Sequence, residues 1–306
     1  MNTHDIIIVG AGSAGCVLAN RLSENPNRRV LLLEAGGKDR NPFIHMPAGL
    51  WQLRNNTRVN WNYYTEPEPN LAGRRLFWPR GRVLGGSSSI NAMCYCRGHR
   101  KDYDDWAAHG AEGWSFDACL PYFLKSEDQA RGASEWHGTG GPLSVQDLRY
   151  HNPLTDRFLE ACTQSGLPPT DDFNGPHQRG CGLYQVTQRD GRRCSTAAGY
   201  LKPVLDRPNL EVITGAAAEQ VLFDGTLEAT IGGFDISVLL WTAEMCRAWP
   251  HPIVVEQFQI SGRVTTTTVC LFLLFSFEQA RRCRAVVGLV KRRHVSQLDQ
   301  CALHAQ

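Results

Sequence analysis

Asp5-Ile6-Ile7-Ile8-Val9 runs directly into Gly10-Ala11-Gly12-Ser13-Ala14-Gly15, and this junction decides the fold. The apolar run is of the kind shown by a strand buried on both faces. Beyond it, Ala14, Val17, Leu18 and Leu22 recur at helical spacing, Asn25-Pro26-Asn27 breaks the helix, and Val30-Leu31-Leu32-Leu33 reads as a second buried strand. The unit is β-α-β, the opening of an α/β, Rossmann-like doubly wound sheet, with G-x-G-x-x-G at its first turn. Gly10 serves the tight turn, Gly12 lets the backbone approach a pyrophosphate, and Gly15 packs helix on strand; Ser13 and Ala14 open the helix whose N-terminus faces the anion. Glu34 ends the second strand 19 residues past Gly15, where a carboxylate accepts ribose hydroxyls and disfavours a 2′-phosphate.

The fingerprint alone leaves NAD and FAD open, because both present an ADP moiety to the same turn. A second block bears on the choice: Gly81-Arg82-Val83-Leu84-Gly85-Gly86-Ser87-Ser88-Ser89-Ile90-Asn91. Two adjacent glycines followed by three serines make a loop whose N–H groups can point at phosphate or flavin, with hydroxyls to complete the hydrogen bonding. Gly10 to Gly15, Glu34-Ala35-Gly36 and the whole stretch from Gly81 to Asp104 resemble the glucose-methanol-choline (GMC) flavoprotein oxidoreductases. Asn41 to Pro47, Phe77 to Gly81 and Gly182 to Gln188 support the likeness, which covers residues 3 to about 225.

The resemblance implies FAD as cofactor, with Val83, Ser87 and Asn91 at positions that touch it and Ala218 at a backbone contact to adenine on a later strand. Some members tether the flavin through a histidine just before this asparagine; Ile90 stands there, so the flavin is expected to be non-covalent. The implied activity is oxidation of the CH–OH group of an aliphatic primary alcohol, with electrons passed to a quinone or similar acceptor. Family catalysis uses a histidine with a second His or Asn from the far C-terminal part. The last asparagine here is Asn209, so no catalytic residue is assigned, and His251, His294 and His304 are given no role. Two other readings stand beside this one: a flavin-binding fragment without turnover, and a NAD-binding regulatory module resting on the fingerprint alone.

Four regions are expected: 1–104 for the cofactor, a loop-rich cap over 105–193, a return to the cofactor domain over 194–225, and an unrelated tail over 226–306. The tail has no Asn and no Tyr, and four of the 29 glycines. No strand pair is read after Gly225, and a changed reading frame or recombination near that residue is the expectation. Low solubility and weak flavin retention would follow, because the sheet then lacks further parallel strands from the C-terminal side, which leaves an apolar edge and the ring side of the flavin exposed. The run Val269 to Phe275 falls far short of the ~20 apolar residues that span a bilayer, and reads as a buried strand, an aggregation-prone segment or a non-native tail.

At 306 residues with 42% hydrophobic and 20% charged, the chain can bury a core. A net charge of +2 gives no reason to expect nucleic acid as a partner. The 11 cysteines form no zinc-like pair of pairs, so no metal is expected and free thiols fit a reducing cytoplasm. Met1 leads almost at once into the first strand, which is read as lacking a signal peptide; peripheral association with the inner membrane stays open. His99, His137, His151 and His177 are read as solvated or structural, since none has a partner motif. Ser87 to Ser89 lie outside any G-x-S-x-G elbow and are poor hydrolase nucleophiles.

Overall fold

The computed structural model describes residues 4–218 together with the short strand segments 222–223, 228–231, 234–238 and 268–270. In chain order the strands are β1 (Ile6–Val9), β2 (Val30–Glu34), β3 (Tyr63–Tyr64), β4 (Phe77–Trp78), β5 (Glu127–Gln129), β6 (Leu143–Val145), β7 (Gln188–Arg189), β8 (Arg192–Arg193), β9 (Leu210–Thr214), β10 (Leu222–Phe223), β11 (Glu228–Ile231), β12 (Phe234–Val238) and β13 (Thr268–Cys270). The helices are α1 (Ser13–Leu22), α2 (Pro42–His45), α3 (Leu50–Leu53), α4 (Arg100–Ala108), α5 (Phe116–Ser126) and α6 (Pro153–Gln164). No described helix is long and apolar enough to cross a membrane.

The main sheet runs β10-β11-β12-β13-β1-β2-β9. β1 pairs in parallel with β2, Ile6 opposite Val30, and β2 pairs in parallel with β9, Val30 opposite Leu210. Ile7, Ile8, Leu31 and Leu32 are buried on both faces of these strands, each stabilising the fold by roughly 1.5–3 kcal/mol. Small residues on α1 let it lie against the sheet: a side chain on Gly15 would collide with the Gly10 carbonyl, and Cys16 and Ala19 are fully buried. A single π turn at Ala197–Leu201 packs on the other side of α1, where the Asn20 side chain donates to the Tyr200 carbonyl at 2.7 Å. Asn209, just before β9, donates its amide to the carbonyls of Ser23, Asn25 and Arg28, fixing the turn between α1 and β2.

Between β2 and β9 the loop-rich cap carries short regular elements. α5 is capped by the Ser115 hydroxyl, and α6 by Asn152 with Pro153 in its first turn. β5 and β6 pair in parallel, and isolated bridges join Val186 to Cys94 and to Gln146.

The reading of no strand pair after Gly225 is corrected. β11 and β12 pair antiparallel, Ile231 opposite Phe234, with Gly232-Gly233 between them in the sequence. A two-residue glycine linker between runs rich in β-formers is the hairpin signal that the tail's composition obscured. The expected lack of further parallel strands from the C-terminal side is corrected too, because β13 pairs in parallel with β1, Ile7 opposite Val269. The tail over 226–306 otherwise lies outside the described residues.

Candidate cofactor site

The fingerprint turn is built as its residue types require. Gly10 leaves β1 with φ +89° and donates its N–H to the Leu33 carbonyl at 2.7 Å, tying the turn to β2. Gly12 is the N-cap of α1, and no side chain caps the helix there. A Cβ on Gly12 would meet no protein atom within 4 Å, so the positive end of α1 opens onto free space beside Ser13 and Ala14.

Glu34 closes the other side. Its carboxylate is 5% exposed; Oε2 accepts the Ala11 N–H at 2.8 Å and Oε1 accepts the Gly36 N–H at 2.7 Å. Burial pushes the Glu34 pKa up, partly offset by those two donors. Each oxygen keeps a further lone pair, so the same group can brace both turns and still accept a hydroxyl. Replacing Glu34 with alanine leaves two buried N–H groups without acceptors, and the expected loss is about 2 kcal/mol by thermal melt at neutral pH. An unchanged melt would show that water replaces the carboxylate without cost.

The Gly81 loop lies directly on this turn. Gly85 donates to the Ala11 carbonyl at 2.7 Å and Leu84 to the Gly37 carbonyl at 3.1 Å. A Cβ on Gly86 would stand 2.6 Å from the Gly12 Cα, so the two backbones touch where neither carries a side chain. Two of the three serine hydroxyls turn inward. In the 3-10 turn Gly86–Ser89, the Ser88 hydroxyl donates to the Gly85 carbonyl and accepts the Thr196 N–H, while Ser89 donates to the Leu84 carbonyl. Ser87 alone is exposed, and its oxygen also accepts the Gly81 N–H at 3.1 Å.

The structure places the remaining sequence candidates as follows. The Val83 side chain is fully buried with Ile44, Leu53, Val59 and Ile90, which leaves only its backbone to reach a ligand. Asn91 is exposed at the end of the loop. Ala218 follows β9 at the carboxyl end of the sheet, where Gly215 donates to Gly36 and Ala216 to Glu34. The histidines lie elsewhere: His99 caps α4, His151 pairs with Asp156 on the surface, and His137 bridges Glu127 and Asp172. Arg193 was not singled out in the sequence. Its guanidinium reaches the Ile44, Ser88 and Asn91 carbonyls beneath the loop, contacts between residues more than 100 apart that no local signal reveals.

A family model described as GMC oxidoreductase matches residues 4–233. The chain belongs to the GMC oxidoreductase family. The match extends past Gly225, further than the sequence likeness alone was drawn. The chain is 53% identical over 222 residues to "Alcohol dehydrogenase [acceptor]" of Pseudomonas putida, a span of 72% of this chain and 40% of that protein. It is 50% identical over 230 residues to the mitochondrial choline dehydrogenase of Mus musculus, covering 73% of this chain and 39% of the relative. Among solved structures, pyridoxine 4-oxidase from Mesorbium loti superposes with a TM-score of 0.71 at 39% identity, over 75% of this chain and 46% of that one. A formate oxidase gives 0.67 at 27% identity, over 75% and 42%. The chain thus spans about two fifths of the length of the curated relatives it matches.

FAD is the cofactor of this family, and the residues fit it. The open face at Gly12, the uncapped helix end and the Glu34 carboxylate form a cradle for an adenine dinucleotide, and the Gly86 turn adds a flat backbone wall beside it.

Proposed function

We propose that this chain is the cofactor-holding part of an FAD-dependent oxidoreductase that oxidises the CH–OH group of an aliphatic primary alcohol and passes the electrons to a quinone-like acceptor. The observation that carries the reading is the Gly85-Gly86 turn seated on Gly12, an arrangement that a bare dinucleotide turn does not need. The 53% identity to the Pseudomonas putida alcohol dehydrogenase supports the substrate class, with choline-type alcohols as the neighbouring choice. When bound, FAD supplies the two-electron acceptor for alcohol oxidation. The chain's own residues bind and orient it: α1 receives the diphosphate, Glu34 the ribose, and Ser87 and Asn91 complete the loop side. Ile90 is an alkyl side chain buried among Ile44, Leu53, Val59 and Val83, which supports a non-covalent flavin.

A second reading is a flavin-binding chain that does not turn over by itself. It is favoured by the engagement of His99, His137 and His151 in a helix cap and ion pairs away from the Gly12 cradle. The NAD-binding reading rests on the fingerprint alone and leaves the Gly81 loop without a task.

The visible absorbance of the purified full chain, followed by anaerobic addition of a primary alcohol, tests these readings. Flavin bands that bleach with alcohol support the oxidoreductase as it stands. Bands that persist support the second reading, and a chain that takes up no flavin when FAD is added overturns both.

A further inference from the structure

Arg193 is a buried cation under the Gly81 loop that the sequence did not single out. Its residue is 3% exposed, and its hydrogen-bond partners among the described residues are all neutral oxygens. Nε donates to the Ile44 carbonyl at 2.7 Å, and Nη1 donates to the Asn91 carbonyl at 2.7 Å and to Asn91 Oδ1 at 2.8 Å, with Ser88 O at 3.2 Å. Nη2 is buried and has no partner among the described residues. A guanidinium taken out of water without a carboxylate is costly, and burial alone pulls its pKa down to about 10.

The cost has a purpose at Asn91. The Asn91 Oδ1 accepts from two donors at once, Arg193 and the Met93 N–H at 3.0 Å. Both neighbours are donors that never accept, so only the oxygen of the amide can face them. The NH2 group is therefore forced outward, and Asn91 is exposed at the lip of the loop. Free asparagine presents either end to a ligand; this one is locked as a donor.

We propose that Arg193 is a positioning residue for the cofactor, holding Asn91 so that its side-chain NH2 donates a hydrogen bond to the bound FAD. The proposal rests on the FAD reading above. It gives the loop a fixed polarity, with a donor rather than an acceptor at its lip.

The test is titration of the flavin-free full chain with FAD, read by flavin fluorescence, together with the reduction potential of the bound flavin and a thermal melt. Asn91→Asp keeps the oxygen that Arg193 and Met93 need and strengthens the pair with Arg193, but it puts an acceptor where the NH2 stood. Its melt should match the wild type, its affinity for FAD should fall about tenfold or more, and its flavin potential should drop. Arg193→Met should weaken FAD binding similarly by freeing the amide to flip, and Arg193→Lys, which retains one donor, should recover part of the loss. If Arg193→Met does not fold, Arg193→Lys carries that arm, with an affinity between wild type and Asn91→Asp expected. Wild-type affinity and potential in Asn91→Asp would overturn the proposal while leaving FAD binding intact. Unchanged values in the Arg193 variants would overturn the positioning role, and failure of the wild-type chain to bind FAD would overturn the cofactor reading with it.

Discussion

Glu127→Gln is expected to destabilise the chain by about 3–5 kcal/mol, the range for breaking a buried ion pair by removing one partner. Glu127 is wholly buried on β5, and every contact to its carboxylate is a donor. Oε2 accepts from Arg97 Nη2 at 2.9 Å and from the Gly138 N–H at 3.1 Å; Oε1 accepts from His137 Nδ1 at 2.9 Å and from Gln129 Nε2 at 3.2 Å. The amide keeps the volume and discards the charge. It also turns one acceptor into a donor facing other donors, and it leaves Arg97, whose side chain is equally buried, without its carboxylate. The loss should concentrate where the Arg97 guanidinium also donates to the Trp136 carbonyl and its backbone N–H donates to the Asn174 side-chain oxygen. Urea unfolding at pH 6 measures it, and a loss under 1 kcal/mol would mean that the charge is balanced elsewhere.

The same cluster sets a pH dependence. His137 is held between Asp172, the stronger influence, and Glu127, and its pKa is raised from 6.5 to about 9. A raised folded-state pKa contributes stability that is complete below 6.5 and is lost as pH climbs through about 9. Burial is the largest influence on the Asp172 pKa and works to raise it, but the hydrogen bonds from His137 and the Asn174 N–H, together with the His137 and Arg131 charges, outweigh it and the value is lowered, so its contribution is present above 3.8 and fades as pH falls through the folded value. Wild-type stability should therefore decline between pH 6.5 and 9, by ~3 kcal/mol at most at 1.36 kcal/mol per unit. In Glu127→Gln the decline should be shallower, because one of the two carboxylates that favour the charged ring is gone.

What sequence reasoning reached and what it missed divide along sequence separation. β1, α1 and β2 are adjacent, and their apolar runs, glycines and terminal Glu34 carry their own instructions within about 30 residues. The close seating of the Gly81 block was legible in outline because two adjacent glycines allow backbone to approach backbone. Its polarity was not, since the inward turn of Ser88 depends on Thr196, 108 residues on. His137 reads in the sequence as solvated or structural, and which of the two holds is hidden for the same reason. Its partners Glu127 and Asp172 lie 10 residues before it and 35 after, and neither spacing belongs to a local motif. α6 was within reach, because Asn152-Pro153 is a cap followed by a first-turn proline, but the surrounding Gly and Pro hid the signal. The β11–β12 pair was passed over because composition was allowed to outweigh Gly232-Gly233 and its flanking β-formers.

Gly86→Ala and Gly12→Ala should separate two properties that the cradle combines. Gly86 has φ +53°, which a side chain resists, and the new Cβ would stand 2.6 Å from the Gly12 Cα. Backbone cannot yield as a flexible side chain does, so the loop must lift off the fingerprint turn and strain the Gly85 to Ala11 hydrogen bond. Overpacking together with the positive φ should lower stability by roughly 2–4 kcal/mol, a fall of about 5–15 °C in Tm, and FAD binding should be lost with it. Gly12 is the opposite case. Its φ of −74° suits any residue, and an added methyl meets no protein atom within 4 Å. Gly12→Ala should melt like the wild type and yet bind FAD at least tenfold more weakly, because its methyl enters the space reserved for the diphosphate at the head of α1. A Gly12→Ala chain that binds FAD normally would place the diphosphate away from α1, and a stable Gly86→Ala chain would mean the two turns are free to separate. A folded Gly12→Ala protein without flavin, beside a Gly86→Ala protein lacking both, would mean that Gly86 serves the packing of the cradle and Gly12 serves its contents.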